Sequence, residues 1–421
     1  MKKTPHRTDA REVNRGHRSK IILLVLAAAL PAPVFGLGFL IPNQDAAAIG
    51  RGNAFAATAD DPAAIYYNPA GISQLRGSDI QIGALNYLGI DVQYDSPAGN
   101  HVENKFEVLT VPQIYYTFSP KDFPLSFGLG LYSPFGLAVK WPNNSPLRTL
   151  AVDSKLQYIT INPVVSWQAT KTLSIAAGPT INYAKIQFNR GLASANDFYD
   201  FRGDDYDFGL TAGLLWQPVQ EWSFGASYRL AQQMDFNGNS RYQASPAGPV
   251  AIANTTAGVP FPQTISGGIS YRPTPKWNLE FDVDYIDWTI GTVKLTGTKN
   301  IFGFDLPLAL NWHESWQYKF GVTRQLGDGW FVSAGYFFST ETTSSGNYTP
   351  AVPDSDLHIG SLGVGRNGEH FHWALAAQLI AGEPRNIPAT GGTANPFTAA
   401  SAAGNYQIFV PAVTFSVGYR F

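Results

Sequence analysis

A two-residue rhythm runs through most of the chain. At its C-terminal end Phe409, Pro411, Val413, Phe415, Val417, Tyr419 and Phe421 alternate with Val410, Ala412, Thr414, Ser416, Gly418 and Arg420. Successive side chains of a β-strand point to opposite faces, so this stretch reads as a strand with one aromatic, branched face and one mostly small or polar face. Trp277, Leu279, Phe281, Val283 and Tyr285 alternate likewise with Asn278, Glu280, Asp282 and Asp284. Leu125, Phe127, Leu129 and Leu131 alternate with Ser126, Gly128, Gly130 and Tyr132, and the run from Trp330 to Phe338 repeats the pattern. The rhythm predicts fourteen strands, over 79–93, 105–118, 123–135, 152–169, 172–190, 204–217, 221–240, 261–273, 275–296, 311–325, 329–340, 356–367, 370–382 and 406–421. Tight turns such as 273–276 and 327–329 alternate with longer connections over 136–151, 191–203, 241–260, 297–310, 341–355 and 383–405.

After residue 36 no stretch approaches the roughly 18 consecutive apolar residues of a spanning helix. Strands cross lipid only as a closed barrel, where every backbone group finds a partner. Segments of about ten alternating residues, an even strand count, and short turns opposite long loops match such a barrel. The expected architecture is therefore all-β: a fourteen-stranded antiparallel transmembrane β-barrel over 79–421. Composition favours lipid over water as the surroundings of the apolar face. Charged residues make up 14 % of the chain, against about 25 % in ordinary soluble domains. The acidic row at 278–284 and the glycine-rich rows then face a watery or occupied lumen.

The N-terminal part does not alternate. Seven Lys/Arg up to Lys20 precede the apolar run Ile21–Leu30 and the small-residue exit Val34-Phe35-Gly36. This is the pattern of a secretory signal peptide over 1–36; ten apolar residues are too few to span a bilayer. Without it, 22 Lys/Arg of 29 and 29 Asp/Glu of 31 remain, a net charge of −7 that gives no basis for nucleic-acid binding. Residues 37–78 are alanine-rich and lightly charged, and are expected to fold inside the barrel as a plug rather than remain a disordered lead-in. The chain has no cysteine, which excludes disulfides and cysteine-based zinc or redox sites.

The motifs Gly38-Phe39, Ala48-Ile49-Gly50-Arg51-Gly52-Asn53-Ala54, Ala59-Asp60-Asp61-Pro62 and Asn68-Pro69-Ala70-Gly71 resemble the plug of the outer-membrane transporter family for long-chain fatty acids and aromatic hydrocarbons (FadL/TodX type). Ser133-Pro134-Phe135-Gly136-Leu137-Ala138, Asp284-Tyr285-Ile286-Asp287-Trp288 and Pro353-Asp354-Ser355-Asp356 extend the resemblance over the mature chain. It implies a non-enzymatic barrel in the Gram-negative outer membrane that takes up hydrophobic small molecules passively. They would arrive through a loop groove, pass an internal site, and leave sideways at a kink in the third strand. The plug mark is Asn68, Pro69, Ala70 and Gly71, and the kink position is matched by Pro134, Phe135 and Gly136. Pro134 has no N–H for a ladder, and Gly136 tolerates a bend.

Leu137, Val139 and Trp141 are the candidates for the entrance groove. A fatty-acid carboxylate requires a cation, yet Phe188 stands where fatty-acid members of the family carry arginine. Arg190, on the same strand face, is a substitute; Lys185 falls on the opposite face, and Arg229 is a further candidate. Phe421 is the expected assembly signal read by the barrel assembly machinery. A monomer bathed in outer-membrane lipid is expected, with no cofactor and no metal. A lipid hydrolase and a structural or adhesive barrel are the alternatives. Gly363 to Gly368 spell G-x-G-x-x-G, but with no helix following. His358, His370 and His372 bracket one turn without metal-ligand spacing and are expected on the surface.

Overall fold

The computed structural model describes residues 37–398 and 400–421; the expected signal peptide lies outside them. Fourteen antiparallel strands form one closed β-barrel. They are β1 (Gly77–Leu88, continued by Asp91–Asp95), β2 (His101–Glu103 and Val108–Ser119), β3 (Leu125–Tyr132 and Gly136–Lys140), β4 (Asp153–Gln168), β5 (Leu173–Arg190), β6 (Phe198–Val219) and β7 (Trp222–Arg229 and Gln232–Gln243). The second half comprises β8 (Val250–Phe261 and Gln263–Thr274), β9 (Trp277–Asp287 and Ile290–Thr296), β10 (Leu306–Trp312 and Ser315–Gly327), β11 (Trp330–Ser339), β12 (Leu357–Asn367), β13 (Phe371–Gly382 and Arg385–Ile387) and β14 (Gly404–Arg420). Closure comes from β1 pairing with β14, in register from Asp79↔Arg420 to Tyr87↔Ala412.

Each rhythmic segment became a strand, and its parity set the faces. Phe409, Phe415, Val417, Leu279, Phe320 and Leu129 are exposed on the outer face, whereas Thr414, Ser416, Glu280 and Asp282 are buried within. Trp167, Trp216, Trp222, Trp277 and Trp330 ring the short-turn end with exposed indoles, and Tyr206, Trp316 and Tyr336 stand near the other. Two such girdles are what an outer-membrane barrel presents to the lipid interfaces.

Several expected loops are shorter than the rhythm suggested. β8 begins at Val250 and β10 at Leu306, inside stretches expected as connections, and β6 begins at Phe198 rather than 204. On these extensions large apolar residues (Phe201, Val259, Phe261, Leu306, Leu310 and Trp312) are buried on the inward face, so the outward apolar rhythm of the other strands does not carry through them; pairing with a neighbour makes them strands.

Residues 37–76 hold two short helices, α1 (Ala46–Gly50) and α2 (Ala64–Tyr67), then the 3-10 turn Pro69–Gln74. Nearly all of their side chains are buried, and their partners belong to the inward faces of the strands. Asp45 caps α1 by accepting from the Ala48 N–H at 3.0 Å.

Candidate functional site

The interior is built around the N-terminal segment, and two kinds of wall residue receive it. Inward-facing glycines leave room for its backbone. A Cβ at Gly213 would strike Asn68 and Ala70, at Gly225 the Ala56 carbonyl, and at Gly335 the backbone of Arg51 and Gly52. The acidic row of β9 supplies acceptors for its N–H groups. Asp282 accepts from Phe55 N (2.7 Å) and Ala56 N (2.8 Å), and Glu280 from Ala57 N (2.7 Å) and Thr58 N (3.1 Å). Glu280 also meets Arg51 at 3.0 Å, and Asp284 pairs with Lys319 of β10. The acidic row therefore faces bound chain rather than a wet lumen, because backbone donors without partners would otherwise be buried there.

The Asn-Pro-Ala-Gly stretch is a hinge of this packing. Asn68 accepts from Ala70 N (3.2 Å) and donates to Ala56 O (2.7 Å) and to Leu214 O of β6 (2.9 Å). Pro69 opens the 3-10 turn, where a missing N–H is harmless. Ala70 O receives Ser73 (2.9 Å) and Ser166 of β4 (3.2 Å), and Gly71 abuts Ala59 too closely for any side chain.

A break in the wall lies at β3. Its first half pairs with β2 only from Phe118↔Phe127 to Ile114↔Leu131. Its second half, Gly136–Lys140, pairs with β4 alone, and one bond from Lys105 N to Lys140 O (2.8 Å) rejoins the edges above. Between these points the β2 edge has no ladder to β3. The freed backbone of β3 turns inward and pairs with the N-terminal segment instead. Ile41 N donates to Pro134 O (2.7 Å), Gly136 N to Phe39 O (2.8 Å), and Gln44 Nε2 to Ser133 O (2.7 Å).

Behind this kink lies an aromatic box. Phe39 sits 4.9 Å from Trp312, 5.9 Å from Trp288 and 6.2 Å from Phe261, between ring centroids. Phe135 closes it against Tyr158 (5.1 Å) and Phe261 (4.9 Å). Gly38 enters with φ +61, and a Cβ there would strike the Trp288 ring. The indole N–H groups of Trp288 and Trp312 are buried with no hydrogen-bond partner among the described residues. Among the described residues no cation is packed on these rings; Arg229 is an interior cation with no acid partner among them. It stacks on Tyr66 (4.8 Å) and Tyr132 (5.6 Å) and donates to Tyr132 Oη (3.2 Å) and Tyr66 O (3.3 Å). It borders a small cavity of about 40 Å³ that Asp284 and Lys319 also line.

The remaining candidates fall in four places. Leu137 and Val139 lie on β3, not in a loop, and are buried; Trp141 is buried too, its indole donating to Pro350 O at 2.9 Å. They form part of the interior and present no open groove, because β3 bends inward instead of ending. Phe188 and Arg190 face inward on β5 and line a cavity of about 80 Å³ with Leu150, Leu295 and Leu308 at the long-loop end. Lys185 points outward, opposite Asp204 of β6, as its parity requires. Phe421 is exposed, its N–H donating to Ser78 O at 2.9 Å.

His372 departs from expectation. It is buried on β13, 2.9 Å from Asp79 of β1, which also holds Arg420 of β14 at 3.2 Å. His372 lies on the inward parity of its strand, where the closing seam of the barrel brings an acid beside it.

Sequence reading missed the box. Phe39, Phe135 and Trp288 fell within family motifs, but Trp312, Phe261 and Tyr158 come from three further strands and share no spacing with them. The only signal was that each sits on an inward parity otherwise given to small or polar residues.

A family model described as outer membrane protein transport protein (OMPP1/FadL/TodX) matches residues 27–370. The long-chain fatty acid transport protein of Escherichia coli K12 is 21 % identical over 402 residues, covering 82 % of this chain and 88 % of that one. A putative outer membrane protein of Neisseria meningitidis is 24 % identical over 404 residues, covering 82 % and 86 %. In fold, a Pseudomonas aeruginosa FadL homologue superposes with a TM-score of 0.80 at 18 % identity, over 91 % of this chain and all of that one. The Pseudomonas putida toluene transporter TodX gives 0.69 at 15 %, over 93 % and 100 %. With the match spanning most of its length and a closed fourteen-stranded barrel as its fold, this chain belongs to the FadL/TodX family of outer-membrane transport proteins for hydrophobic compounds.

Proposed function

We propose that the barrel passes hydrophobic molecules from the long-loop end into the aromatic box and out sideways through the unpaired stretch between β2 and β3. The residues 37–76 act as the hatch. The observation that carries this reading is Phe39 itself, which occupies an aromatic box directly behind the wall gap and is held there by backbone bonds to the kink. A small aromatic molecule has the shape and polarity of the ring it would displace. Burial worth about 25 cal/mol per Å² of apolar surface supplies its affinity at each stage. A lateral route suits such cargo, since a water-filled pore offers a greasy molecule nothing.

The box contains six aromatic rings and no cation, which favours neutral aromatic hydrocarbons over carboxylates. One observation supports fatty acids as a second reading. Arg190 faces the apolar cavity at the long-loop end and has no acid within 4.0 Å among the described residues, so a carboxylate could dock there first. Uptake of labelled toluene and labelled oleate, in cells with and without the protein, separates the two. Faster toluene entry is expected with the protein; if neither compound enters faster, transport is the wrong assignment.

A further inference from the structure

The wall is interrupted a second time, between β6 and β7. The two strands pair from Trp222↔Val219 up to Arg229↔Thr211 and again from Asn237↔Asp204. Between these limits the only backbone bond is Leu230 N to Leu210 O at 3.0 Å. Both strands stay continuous on their other sides: β6 pairs with β5 throughout, and Gln232–Gln243 pairs with β8 residue by residue.

Two carboxylates stand in for the missing ladder. Asp207 accepts from Gln233 N (3.1 Å) with one oxygen and from Phe208 N (2.7 Å) with the other. Asp205 accepts from Asp235 N at 2.7 Å. On the inner side the Gln232 amide lies across Gly209, whose lack of a Cβ makes the space. Gln232 donates to Thr180 at 3.3 Å and accepts from the hydroxyl of Tyr158, a wall of the aromatic box. It also stands opposite Phe261 in the β7–β8 register, and Phe261 is another wall of that box. On the outer side the rim is apolar and open: Phe208 is 71 % exposed, Tyr206 66 % and Leu230 40 %.

The physical difference from an ordinary seam is large. A backbone ladder unzips only cooperatively, and each buried group it orphans opposes the opening. A seam bridged by side chains parts when two carboxylates and one amide rotate, and those groups take new partners from water or lipid headgroups. We infer that the β6–β7 seam is a second lateral route for hydrophobic cargo between the aromatic box and the membrane, latched by Asp205, Asp207 and Gln232. This inference rests on the reading of the protein as a transporter of hydrophobic molecules.

The full chain has no cysteine, so an engineered pair is its only thiol chemistry. Tyr206→Cys with Asp235→Cys spans the open stretch, and Ala212→Cys with Tyr228→Cys spans the closed ladder below it. Oxidising the first pair should slow labelled-toluene uptake severalfold, with recovery on reduction, while oxidising the second leaves uptake unchanged. Asp205→Ala with Asp207→Ala should instead speed uptake; if that variant fails to assemble, the thiol pair still decides. Unchanged uptake in the oxidised Tyr206→Cys/Asp235→Cys protein overturns the second route. Measured alongside, Pro134→Val/Gly136→Val tells the failures apart. If it slows uptake, transport through β2–β3 stands and only the β6–β7 route falls; if it too has no effect, both readings fall.

Discussion

At the scale of single residues, the wall is shaped by what its inward positions leave out. The glycine-rich rows, Gly335 among them, read from sequence as small residues in an occupied or watery lumen, and Gly213 and Gly225 prove to play the same part. Parity could not tell that a particular backbone stretch lies on each, since that contact joins residues more than a hundred positions apart. Replacing Gly225 with valine drives methyl groups into the Ala56 carbonyl, and overpacking of this kind costs about 1–3 kcal/mol. We expect a barrel that still assembles but holds residues 37–76 loosely, seen as faster hydrogen exchange there with unchanged strand protection. Equal exchange in both proteins would refute the contact. Asp282→Ala should act in the same direction, because it strands the N–H groups of Phe55 and Ala56, each costing about 1–3 kcal/mol.

At the scale of elements, the kink of β3 is the best test of what a strand's local chemistry decides. Pro134 and Gly136 marked a place where the ladder is weak, and β3 does lose β2 there. That the freed backbone pairs with Phe39 and Ile41 could not be read from it. Pro134→Val/Gly136→Val restores a ladder donor and a stiff β-former, so the strand should straighten and uptake fall without loss of assembly. Unaltered uptake would argue against exit at this point.

The loop between β11 and β12 makes a separate prediction. Buried Asp354 accepts from Thr342 N (2.6 Å) and Thr343 N (3.0 Å), and Arg385 of β13 meets Glu341 at 2.7 Å. Burial pushes both carboxyls up, more than Arg385 pulls them down. The folded loop therefore holds protons that the unfolded loop has released. Its stability rises as pH falls from neutral through the raised values, and declines as pH climbs. Protease nicking within 341–355 should be no faster at mildly acidic pH than at neutral pH; faster nicking in acid would reverse the assigned sign.

At the scale of the whole molecule, hatch and barrel are predicted to be separable. Deleting 37–70 should leave a heat-modifiable barrel, since outside the β3 kink every strand pairs with its neighbours without that segment, but one that leaks hydrophilic solutes. A barrel kept for structure or adhesion would retain its phenotype after the same deletion. The strands, their number, their faces and the membrane surroundings were all set by the sequence alone, because a period of two and a turn are local properties that each segment carries within itself. The motifs likewise placed the chain in its family. What only the tertiary structure decided are the aromatic box around Phe39, the partners of the acidic row, the burial of His372 and the aspartate-bridged seam of β6 and β7. Each depends on which inward residue of one strand meets which residue of another across the lumen. That meeting is fixed by register, closure and the path of the N-terminal segment, and none of these leaves a periodic trace along the chain.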